Sequence, residues 1–170
     1  MTRPPPCPPA ADLLDHLRDE EFLLRETLAS LTELNAGLRA GDLAAVAAAR
    51  PRQEALAAAL AGRNVTRAAV AARLADDLGL PPGTPLTLAC LADHLPDEVG
   101  ADLLAARTRF AALARGIADY QRRNAILVRH LRSYFRGVMA VLAAADAPTR
   151  YGPSGSCLAP AGRGAILARG

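Results

Sequence analysis

The longest periodic pattern in the chain occupies residues 96–146. Alternate steps of four and three from Val99 reach Leu103, Ala106, Phe110, Leu113, Ile117, Tyr120, Asn124, Leu127, Leu131, Tyr134, Val138, Val141 and Ala145, and Asn124 alone among them is neither apolar nor aromatic. A spacing of 3.5 held that long predicts one helix burying a narrow seam against other helices. At about 1.5 Å per residue it would span roughly 70 Å. Pro96 suits a first helical turn, and Asp97 and Glu98 place negative charge where the helix dipole favours it. Pro148 disfavours helix at Ala147 and should end the element there. With Leu103 at heptad position a and Val99 at d, Arg115, Arg122, Arg129 and Arg136 all fall at f, the outermost position. Such a stripe serves as a solvated face or as a dock for an acidic partner. The seam needs cover, so the rest of the chain should supply helices.

Two further long helices are predicted. Over residues 11–40, Leu13, Leu17, Leu24, Leu31, Leu34 and Leu38 share a face that Leu14, Phe22 and Leu28 broaden, and Gly41 then provides a stop. Asp42 can cap a helix over residues 42–78 whose larger apolar residues are Leu43, Val46, Leu56, Leu60, Val65, Val70 and Leu74. Pro51 should kink or break it near Arg50, and Gly79 should close it. After the PPGTP loop, Thr84 and Pro85 read as cap and first turn of a short apolar helix over residues 85–95, tucked over the bundle end. Residues 1–10, rich in proline, form a disordered leader, and residues 147–170, rich in Gly, Pro and Ser, a flexible tail. The expected fold is all-α: an antiparallel bundle of long coiled-coil-like helices with one short helix and disordered termini.

Composition narrows the picture. Half the 170 residues are hydrophobic, yet much of that is alanine, with three Phe, three Tyr and no Trp. Alanine favours helix and fills cores poorly, so slender helices over a thin core are expected. The twenty basic residues are all arginine, which reads as a codon-composition bias. A net charge of +3 is too weak to imply nucleic acid. Charge is nonetheless uneven: residues 12–33 hold seven acids against Arg18 and Arg25, while residues 122–136 hold five arginines and no acid. The two segments attract one another within the fold or face different partners. Cys7, Cys90 and Cys157 form neither a disulfide framework nor a metal motif. No apolar run suits a membrane span or a signal peptide, so a cytoplasmic protein is expected.

The sequence offers little chemistry. A di-metal carboxylate site needs Glu-x-x-His spacing, and no acid stands three residues before His16, His94 or His130. His16 with Asp12, Asp19 and Glu20 reads as a solvated helix face. Cys90 and His94 read as core and rim rather than half a zinc site. Phosphate loops, nucleophile elbows and dinucleotide fingerprints are missing. No enzymatic activity, cofactor, metal or nucleic-acid partner is expected, a single GRG near Arg163 being weak support for RNA binding.

What remains is a surface for helices. Position e turns apolar late in the long helix, where Val128, Phe135 and Leu142 flank Leu127, Leu131, Tyr134, Val138 and Val141. This a/d/e face is wide enough for two neighbours. Either both are internal, or part of the face receives an amphipathic helix from another protein. Asn124 fixes register, with Asn35 a candidate partner, and Gly116 and Gly137 beside the seam suggest close helix approach.

In its order of features the chain resembles the FlgN-type flagellar export chaperones. The resemblance rests on LLDHLRDEEFLLRETLASLTELNAGL, the Asp-led DLAAVAAARPRQEAL, the LADDLGL turn, a last helix containing RRNAILVRHLRSYFRGVM, and the TRYGPSG tail, spanning residues 11–156. It implies a cytoplasmic, non-enzymatic chaperone that binds C-terminal amphipathic segments of hook-associated flagellar proteins and delivers them to the export gate. Partner-binding residues carried over are Asn124, Val128, Leu131, Phe135, Val138 and Leu142 on the last helix, and Tyr151 in the tail. Departures are the Pro-rich leader, the Ala-rich second helix with Pro51, and the added GRGAILARG end. The alternative is a generic coiled-coil adaptor or structural protein without an export role.

Overall fold

The computed structural model describes residues 8–145, 150–151 and 157–158. Helices α1 (Pro8–Ala40), α2 (Leu43–Asp77), α3 (Leu88–Ala92) and α4 (Asp97–Ala145) are followed by two short strands, β1 (Arg150–Tyr151) and β2 (Cys157–Leu158). The expected bundle of long helices is present. Residues group into two compact units, Met1–Leu127 and Val128–Gly170.

In the first unit, α1 ends at Gly41, whose φ of 69° few side chains tolerate. The Asp42 N–H returns to the Gly37 carbonyl at 2.9 Å, the Schellman closure of a helix end. Asp42 then caps α2, its carboxylate accepting from the Ala45 N–H at 3.0 Å. Gly79 closes α2 in the same way, with Leu80 N–H donating to the Ala75 carbonyl at 3.0 Å. Both stops fall where the sequence places them.

Acid and arginine set the pairing of α1 with α2. Arg52 of α2 reaches Glu26 and Glu33, Arg63 reaches Asp19 at 2.9 Å, and Arg67 grips Glu20 at 2.8 and 2.9 Å. Residue numbers fall along α1 as they rise along α2, so these helices are antiparallel. Helix α4 runs the other way: Arg109 donates to Glu21 at 2.9 Å, Gly116 lies against Leu28, and Asn35 donates to Asn124 at 2.7 Å. Numbers rise together at an offset of 88 to 89, so α4 is parallel to α1. The three long helices thus run up, down and up, with α1 and α2 antiparallel and α1 and α4 parallel.

The core is densest where the start of α1, the end of α2, α3 and the start of α4 converge on Leu13, Leu17, Val70, Leu74, Leu91, Val99 and Leu103. Leu91 of α3 is fully buried, as a segment tucked over the bundle end should be. Ala10 belongs to this core, and α1 begins at Pro8, inside the stretch expected as leader. Proline is compatible with a first helical turn, where its missing N–H is not needed. Residues 1–7 lie outside the described residues.

Other boundaries shift for physical reasons. Helix α3 is shorter than residues 85–95 because Thr87, not Thr84, is its cap: Thr87 Oγ1 accepts from the Cys90 N–H at 3.1 Å, while Thr84 Oγ1 donates back to the Pro81 carbonyl. Helix α4 begins at Asp97, with the Pro96 carbonyl accepting its first bond from Gly100 N–H. Helix α2 continues through Pro51 without a break. Phe22 is exposed, because it lies two residues before Leu24, about 200° around α1 from the buried seam. Leu43 and Val65 are exposed as well.

The acidic cluster of His16, Asp12, Asp19 and Glu20 is less solvated than expected. Glu20 and Glu21 are buried, and Arg63 lies 3.2 Å from His16 Nδ1. The acids of α1 are matched by arginines of α2 and by Arg109, not by the arginines of residues 122–136.

Candidate partner-binding face of the last helix

One apolar period runs the length of α4, and its environment changes along the way. Positions a and d are buried at Val99, Leu103 and Ala106, half-buried from Phe110 to Tyr120, and buried again at Asn124. Asn124 is 5 % exposed; besides accepting from Asn35 it donates to the Leu31 carbonyl at 2.9 Å. A buried amide satisfied from both ends holds register. Asn124 thus sits in the core with Asn35 as its partner, the register pair that its place on the seam predicts.

In the second unit the same period is bare. Leu131 is half-buried, but Tyr134 is 67 % exposed and Val141 69 %, and Val128, Phe135, Val138, Met139 and Leu142 are exposed too. Tyr134 and Phe135 stand edge to face, with ring centroids 6.0 Å apart.

Around the helix the face is asymmetric. An open groove of about 770 Å³ lies toward positions d, a and g, where Tyr134, Val138 and Val141 meet His130 and Gly137. A Cβ on Gly137 would touch nothing within 4 Å, so this glycine keeps the groove open and packs against no described neighbour, unlike Gly116. On the opposite flank, past Phe135 and Leu142 at e, stand Arg132 at b and Arg129 and Arg136 at f, all exposed. Among the described residues none of the three arginines has an acidic partner, and residues 120–145 contain no acid.

Of the expected site residues, the structure places Val128, Leu131, Phe135, Val138 and Leu142 on this one face and Asn124 in the core. Tyr151 lies in β1, paired antiparallel with β2 so that Tyr151 stands opposite Cys157. This ladder falls inside the stretch expected as flexible tail; GPSGS between its strands is turn-forming composition. The side chain of Tyr151, Arg163 and the rest of the tail lie outside the described residues. Tyr134 and Val141 were placed on this a/d/e face by sequence but not among the expected site residues, and Met139 at position b was passed over. The signal available for the first two was the heptad itself, which puts both at d.

Among the described residues no cluster of three or more His, Cys, Asp or Glu could hold a metal ion. His94 Nδ1 lies 2.9 Å from the carbonyl of Cys90, a local helix-end contact. No helix among the described residues is long and apolar enough to cross a membrane. Against known proteins, the family described as FlgN protein matches residues 9–157. No curated protein and no solved structure matches the chain. A match over that much of the chain, on long helices with a bare apolar end, shows that the chain belongs to the FlgN family, whose members are flagellar chaperones and not enzymes.

Proposed function

We propose that the protein is a type III export chaperone of the flagellum whose α4 face at Val128, Leu131, Phe135, Val138 and Leu142 receives the C-terminal amphipathic helix of hook-associated proteins. The observation that carries this reading is the uncovered apolar stripe of residues 128–142. Contiguous exposed apolar surface of this kind marks an interaction site. Helix-in-groove docking would place apolar anchors at i, i+3, i+4 and i+7 along it. Each such side chain taken out of water contributes about 1.5–3 kcal/mol before ordering costs.

The work done is masking. In the cytoplasm the chaperone covers a helix that would otherwise pair with its assembly partners, and the complex then comes apart at the export gate. Tyr151, with the glycine that follows it, is a contact to substrate or export machinery. Release at the gate suits a complex tuned through its dissociation rate. The test is binding of the full chain to purified hook-associated proteins and to copies lacking their C-terminal segments. Binding that disappears with the segment supports the reading; equal binding to both, or none, rejects it.

A further inference from the structure

We propose that the α4 face selects amphipathic helices carrying a row of acidic residues along one edge, and that the arginine flank fixes their orientation. This rests on the chaperone reading above and names the chemistry of its ligand. Charge on the face is one-sided: Arg129, Arg132 and Arg136 border the e side, whereas His130 and Gly137 border the other. In the first unit, acids of α1 meet arginines of α2 and α4, but these three arginines meet none among the described residues. A helix laid on the apolar stripe with Glu or Asp on the matching edge would pair with them. Turned end for end, it would bring those acids to the glycine edge and leave the arginines unmatched.

The same charge argues against two other occupants. A second copy would bring arginines and no acid to its own face. The tail of this chain, residues 146–170, holds Asp146 against Arg150, Arg163 and Arg169, and so repels the flank. Like charges across an interface disfavour the wrong partner while opposite charges steer the right one.

The experiment uses the full-length protein and three synthetic helical peptides with one leucine stripe and one edge of Glu, Gln or Arg. Fluorescence anisotropy at low salt should give the Glu peptide about tenfold tighter binding than the Gln peptide, with the Arg peptide weakest. The gap should close in about 0.5 M salt. In the triple variant R129E/R132E/R136E, checked by circular dichroism for unchanged helicity, the order should reverse. Equal affinity for all three peptides would overturn the proposal, and would leave the chaperone reading standing if hook-associated segments still bind. Two further results would overturn it by naming another occupant. One is a dimer in sedimentation that Phe135→Ala dissolves; the other is tighter peptide binding by the full chain carrying I166D/L167D. Loss of hook-associated binding in none of the face variants, Phe135→Ala and Leu142→Ala included, would reject both readings together.

Discussion

Asn35 and Asn124 make a closed pair: one amide feeds the other, and the second feeds the Leu31 carbonyl. Asn124→Ala strands the Asn35 donor in the core and should destabilise by about 1–3 kcal/mol in urea unfolding. Replacing both by Leu should recover much of that, because no polar group between them is then left unpaired. The pair was legible in the sequence, since each Asn interrupts a leucine face. The burial of Glu20 and Glu21 was not: an acid on a helix reads as solvated until its arginine partners, 47 and 88 residues away, are known. Glycines of α4 divide in a similar way. A Cβ at Gly100 would lie 2.8 Å from the Ala92 carbonyl oxygen, whereas at Gly116 it would meet Leu28 at 3.4 Å and at Gly137 nothing. Gly100→Ala should therefore destabilise. Gly137→Ala should raise the thermal midpoint through helix propensity, by about 1 kcal/mol in stability, and Gly116→Ala should fall between them.

At the scale of elements, α2 is the least economical. Its interior proline leaves the Ala47 carbonyl without the N–H that an α-helix would supply, yet the helix persists because Arg52, Arg63 and Arg67 and the Val70 to Ala75 core hold it to α1. Pro51→Ala should stabilise by about 1–3 kcal/mol, measured by denaturant unfolding. A kink or a break near Arg50 was the natural expectation from propensity alone; the helix runs through Pro51 without a break. The short helix α3 turned on a choice between two threonines that local sequence does not resolve, both being followed by apolar residues. Thr87→Ala should cost about 1 kcal/mol as a lost N-cap.

At the scale of the whole molecule, α4 serves two units with one uninterrupted pattern. Leu103→Ala, at a fully buried site, should cost about 2–5 kcal/mol. Phe135→Ala should change stability by no more than about 0.5 kcal/mol while weakening partner binding several-fold, read by titration beside thermal unfolding. The heptads announced both halves of α4, but not where cover ends. An apolar heptad reads the same whether its seam is buried, as at Leu103, or exposed, as at Val141. The change from buried to exposed side chains along α4 suggests a modular part. If the exposed side chains of residues 128–142 are the binding face proposed above, that segment could be exchanged for the corresponding one of a relative. Cargo choice should then travel with fifteen residues, and the host should fold as before.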